Sequence, residues 1–133
     1  MYVQRGQFGA RARYQSVDLA SRIEGATPHR LVQIMFDELI KAIDALTVAV
    51  RRRDLSQRAQ RQSRALAILN GLETSLDFEK GGEIATGLAG IYRQARRTLV
   101  QACRDDDAEA IAKAGQQLGE IASAWSAIGE RGR

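Results

Sequence analysis

The chain has 133 residues, 44% hydrophobic and 27% charged, with a net charge of +4. That length suits one domain, and the composition is that of an ordinary globular protein. No run approaches the roughly 18 to 20 apolar residues that span a bilayer, and a lone Cys103 rules out an intrachain disulfide and fits a reducing compartment.

Residues 1–26 are polar and basic, with Arg5, Arg11 and Arg13 and no acid among the first seventeen. The start lacks an apolar signal core, so no secretory leader is expected. Its arginines faintly suggest a transit peptide, but Gly6 and Gly9 spoil an amphipathic helix there. A flexible basic arm is expected, with Val17, Leu19, Ala20 and Ile23 forming at most one or two helical turns.

Thr27-Pro28 is a helix start: threonine caps open amides, and proline at the first helical position loses no hydrogen bond. A first helix is expected from Pro28 to about Arg52. Leu31, Met35, Leu39, Ala42, Leu46 and Val50 recur at helical spacing, with a second stripe beside them at Val32, Phe36, Ile40 and Ile43. The polar residues Gln33, Asp37, Lys41 and Asp44 form one narrow row, with Glu38 beside it. Such a helix either lies at the centre of the domain or offers surplus apolar surface to another chain.

A second helix is expected from Asp54 or Ser56 to Leu76 or Asp77, on Leu55, Ala59, Leu66, Leu69 and Leu76. Between Arg51 and Arg64 stand six arginines and one acid, Asp54. They read either as a solvated helix end or as a surface for an anionic partner, nucleic acid or acidic protein. Gly81-Gly82 reads as a turn. A third helix then runs from about Glu83 to Arg104, with Ile84, Leu88, Ile91, Ala95, Leu99 and Ala102 on one apolar face. Asp105-Asp106-Asp107 supplies a cap for the fourth, with Glu109 three residues after Asp106. That helix shows a bundle seam at Ile111, Ala114, Leu118, Ile121, Trp125 and Ile128, with Gly115 and Gly119 placed for close helix approach. The expected fold is all-α: an antiparallel four-helix bundle over residues 27–129, preceded by the arm or short helix of residues 1–26 and followed by a tail, 130–133.

Chemistry is thin. A di-iron site draws on Glu-x-x-His pairs, and the sole histidine, His29, has Ala26 three residues before it. Tetrahedral zinc lacks ligands. Cys103 and His29 sit at the ends of different helices and read as a buried thiol and an exposed ring. Gly81-Gly82 lacks the phosphate-loop pattern. No enzyme, metal or cofactor is expected.

Several segments together resemble the flagellar secretion chaperone family FliS. Ala26-Thr27-Pro28-His29-Arg30-Leu31-Val32-Gln33-Ile34-Met35-Phe36-Asp37 is similar to its opening motif, and Tyr14-Gln15-Ser16-Val17 to its N-terminal tyrosine motif. Ser75-Leu76-Asp77-Phe78-Glu79-Lys80-Gly81-Gly82-Glu83-Ile84-Ala85 is similar to its most distinctive stretch, with Ile91-Tyr92 and Ala124-Trp125 following in order. The resemblance implies a four-helix bundle in the bacterial cytoplasm that binds the disordered C-terminal region of flagellin. It would thereby prevent early polymerisation and keep the client competent for type III export, with no nucleotide or metal and with contacts to export gate components. It also implies that Tyr14 and Val17 cover apolar surface until the client displaces them. Pro28, Leu31, Leu76, Asp77, Gly81, Gly82, Tyr92 and Trp125 are then structural motif positions. A disordered client needs an apolar groove to order against, and Val32, Phe36, Ile40 and Ile43 are candidates for that groove, or else core. Two other readings stay open. One is an arginine-rich nucleic-acid-binding protein. The other is a structural oligomer that buries the spare stripe against a second copy, the state otherwise being monomer or weak homodimer.

Overall fold

A computed structural model describes residues 23–131, with side chains as far as Gly129. Four helices follow in order: α1 (Pro28–Arg51), α2 (Leu55–Thr74), α3 (Phe78–Arg104) and α4 (Ala108–Arg131). No strand occurs among the described residues. Three-residue links join the helices, so successive helices run antiparallel. The expectations for Tyr14, Val17 and the basic arm up to residue 22 lie outside the described residues.

Each helix start is set by a side chain. Thr27 Oγ1 accepts the Arg30 N–H at 3.0 Å, with Pro28 at the first helical position. Asp54 caps α2 through Gln57 N–H, and Asp77 caps α3 through Glu79 and Lys80 N–H, all at 3.1 Å. Asp107, rather than Asp106, caps α4 through Ala110 N–H at 3.0 Å. Asp106 ends α3 instead, at φ 52°, and Arg53 ends α1 at φ 56°. In both turns the following amide reaches back five residues, Asp54 to the Ala49 carbonyl and Asp107 to that of Ala102, closing the helix ends.

The third helix departs from its expected start. Asp77 caps a turn that begins at Phe78, and Gly82, at φ 49° and ψ −124°, kinks the chain before the main helix continues. A Cβ at Gly82 would meet nothing within 4 Å, so only the backbone conformation calls for glycine there.

α1 packs broadly against both α2 and α4, and α3 closes the square by touching α2 and α4 more lightly. Of the two positions open to the doubly apolar helix, α1 therefore takes the central one. Phe36, Leu39, Ile43 and Leu46 are fully buried, with Leu69, Leu72, Leu99, Ile111 and Leu118 from the other helices. Phe36 and Tyr92 meet with ring centroids 6.2 Å apart. Truncating any of these large side chains to alanine costs about 2–5 kcal/mol.

Candidate functional site

The α1 stripe proposed as a groove faces α4. Phe36 and Ile43 are fully buried, and Val32 and Ile40 are half-buried against the core. A Cβ on Gly115 would lie 2.9 Å from Ile43 Cγ2, and one on Gly119 would lie 4.0 Å from Ile40 Cδ1. The α4 glycines therefore let the two helices close together at Ile40 and Ile43, while Phe36 meets Tyr92 of α3.

Open apolar surface lies elsewhere, along α3. Its buried side is Ala85, Ala89, Tyr92, Ala95 and Leu99, while Ile84 is 68% exposed and Ile91 38%. The face expected from Ile84, Leu88 and Ile91 is thus rotated outward. The Tyr92 ring against Phe36 and the small alanines beside it set that rotation.

Between α3 and α4 runs a trough of about 480 Å³, walled by Gly87, Gly90 and Ile91 on one side and Gln117, Leu118 and Ile121 on the other. Glu120 is the one ionisable group in its lining. Because α4 runs antiparallel, its exposed Ile128 stands toward the α3 end that carries Ile84. Ile84 and Ile91, and likewise Ile121 and Ile128, are seven residues apart and so share a helix face to within about 20°. A larger groove of about 820 Å³ lies farther along α3 and shares Gln94 and Thr98 with the trough, but Arg96, Arg97, Asp105 and Asp107 line it. An apolar occupant there would have to strip water from those charges, which disfavours it.

The motif positions are dispersed over the bundle. Pro28 opens α1, Leu31 and Leu76 are half-buried, Asp77 caps α3 and Gly82 kinks it. Gly81 lies in the turn before that kink, where an added Cβ would come within 2.9 Å of Ala85 Cβ. Tyr92 is buried, and burial pushes its phenol up to about 12. Trp125 is half-buried and stacks on His29. Among the described residues, no group of three or more His, Cys, Asp or Glu is placed to hold a metal ion, and no helix is long and apolar enough to cross a membrane.

Three of the six arginines between 51 and 64 are paired with carboxylates. Arg51 pairs with Glu109 at 3.0 Å, Arg58 with Asp106, and Arg64 with Glu38 at 3.5 Å. Asp106 in the α3–α4 turn and Glu109 at the start of α4 thus bring further acid to the end of the bundle where the sequence offers only Asp54 among six arginines. Sequence reasoning missed both this neutralisation and the trough, since each depends on which helices become neighbours.

The FliS family model, described as flagellar protein FliS, matches residues 10–132. The chain belongs to the FliS family. It is 37% identical over 116 residues to the flagellar secretion chaperone FliS of Salmonella typhimurium, covering 86% of each chain. It is 29% identical over 119 residues to the flagellar secretion chaperone FliSB of Pseudomonas aeruginosa, covering 90% of this chain and 94% of that one. For the flagellar secretion chaperone FliS of Vibrio cholerae the identity is 28% over 120 residues, covering 90% and 88%. The FliS family is one of chaperones in flagellum assembly, not of enzymes.

Proposed function

We propose that this FliS-family chain holds the C-terminal region of flagellin in the bacterial cytosol, keeping it from polymerising until it reaches the flagellar export gate. The observation that carries this reading is the α3–α4 trough, whose lining among the described residues is largely apolar, with Glu120 its one ionisable group. A disordered tail orders only where the surface it gains exceeds the entropy it loses, so an extended trough suits it better than a compact pocket. From Gly87 to Thr98 the α3 wall spans roughly 17 Å, at about 1.5 Å per residue.

In this reading Tyr14 and Val17 cover apolar surface in the free chain until the client takes it, as the family resemblance implies. Val32, Phe36, Ile40 and Ile43 act from behind, fixing α4 against α1 so that the trough keeps its width. The test is to mix the full chain with the C-terminal segment of its host's flagellin at micromolar concentration, and to measure mass by gel filtration with light scattering. A stoichiometric complex is expected. Separate elution of two intact partners would overturn the reading.

A further inference from the structure

The α1–α2 and α3–α4 turns lie at the same end of the bundle. Each breaks its helix with a residue in the left-handed region, Arg53 at φ 56° and Asp106 at φ 52°, the two non-glycine positions with positive φ among the described residues. Both follow the helix cap, where a helix most often ends in glycine. A side chain there costs free energy that glycine avoids. Such strain points to a site when the residues bearing it face one space.

Here they do. Arg53 and Asp106 line a cleft of about 600 Å³ together with Leu55, Arg58, Ala59 and Gln62 of α2. Arg58 bonds Asp106 and keeps only 18% of its side chain exposed, so that pair is closed on itself. Arg53 is exposed, with no carboxylate at ion-pair distance among the described residues. Leu55, at 72%, is the most exposed large apolar side chain among them. The cleft thus sets an uncommitted cation beside an uncovered apolar side chain.

We infer that this cleft docks an acidic segment of a partner protein, which places a carboxylate on Arg53 and a neighbouring apolar side chain on Leu55 and Ala59. The residual positive charge, two arginines against one aspartate, selects an anion. Two observations select a polypeptide over a nucleic acid. Asp54, Asp106 and Glu109 stand among the arginines and repel a continuous line of phosphates. No aromatic residue occurs in 51–62 or 104–113, so bases have no ring from these segments to stack on. The cleft shares no lining residue with the α3–α4 trough, so this surface stays available when the trough is filled.

The probe is a fluorescent peptide of repeated Glu-Leu-Asp, titrated by anisotropy against the full chain, with Tm measured for every variant. The parent is expected to bind it, and Arg53→Glu and Leu55→Ser each to weaken binding by at least about tenfold. Arg97→Glu makes the same charge change on α3, outside the cleft, and is expected to bind as the parent does. Arg53→Gly separates the site from the fold. It is expected to raise Tm, because glycine suits the turn, and yet to weaken binding. Failure of the parent to bind, or equal binding by the parent and both cleft variants, would overturn the inference. So would equal affinity for a Glu-Ser-Asp peptide, which reduces the effect to charge attraction. Tighter binding of a single-stranded RNA that Arg53→Glu abolishes would assign the cleft to nucleic acid instead. A fall in Tm in Arg53→Gly would show that the arginine serves the fold, and would also overturn it.

Discussion

The imidazole of His29 lies flat on the indole of Trp125, 96 residues away in sequence, with centroids 4.7 Å apart and planes 4° from parallel. The rings also exchange hydrogen bonds with each other's backbone. His29 Nε2–H donates to the Trp125 carbonyl at 2.6 Å, and Trp125 Nε1–H donates to the His29 carbonyl at 3.0 Å. This clasp fastens the first turn of α1 to the last part of α4. Gly129 lies against the imidazole, so that a Cβ there would come within 2.0 Å of His29 Cε1.

His29→Ala removes one stacked pair and one hydrogen bond, together worth about 1–3 kcal/mol. The expected fall in Tm is about 3–5 °C per kcal/mol for a domain of this size. Gly129→Ala should act through the same contact by displacing the ring. The double variant is therefore expected to lose less than the sum of the two singles. Full additivity in thermal melts would show that Gly129 has another role.

The two α4 glycines are expected to part company. At Gly119 an added methyl meets only Ile40 Cδ1 at ordinary contact distance, so Gly119→Ala should gain up to about 1 kcal/mol from helix propensity. At Gly115 the methyl would press on Ile43 Cγ2 at 2.9 Å, and Ile43 is fully buried with little room to yield. Gly115→Ala should lose about 1–3 kcal/mol by overpacking. Urea midpoints at equal m-value decide both.

Glu73 accepts from Arg93 Nε at 2.9 Å and pairs with Arg96 at 2.7 Å. The Arg93 hydrogen bond, with a lesser contribution from Arg96 and against some burial, holds its carboxyl below the usual glutamate range. A folded-state value below the unfolded one gives stability that is present above the ordinary value and lost as pH falls through the lowered one. Glu73→Gln should therefore melt below the parent at pH 7, with the gap closing once the pH falls well under 4.5. An equal gap at pH 7 and pH 2 would assign the effect to something other than charge.

Cys103 is buried, and burial pushes its thiol up, with Arg58 opposing and Asp106 adding to the shift. A buried thiol with little thiolate is inert. An aromatic disulfide reagent at pH 8 should leave Cys103 unmodified in the native protein and react fully beyond the urea midpoint. Rapid native labelling would contradict the buried placement.

The helices were legible because their signals are local. Thr27-Pro28, Asp54 and the acidic run before α4 act within one turn, and the spacing of Leu31 through Val50 carries its own period. The start of α3 was not, because Gly81-Gly82 read as a break while Asp77 caps a turn in front of it and Gly82 only bends the chain. The rotation of α3 escaped for a different reason. Ile84 and Ile91 are the greasier residues, yet Ala85, Ala89 and Tyr92 face inward, because small side chains admit the neighbouring helices and the Tyr92 ring fills the space beside Phe36. The same rotation opens the trough, so the site was hidden with it.

The trough is a channel open along its length, and this bears on unloading. A client bound there as proposed could be peeled away from one tip, segment by segment, while the rest stays seated. Each increment would then resist with the grip of one segment instead of the grip of the whole contact. Under the function proposed above, withdrawal from one end would then need only a modest, steady pull and would not require the four helices to unfold.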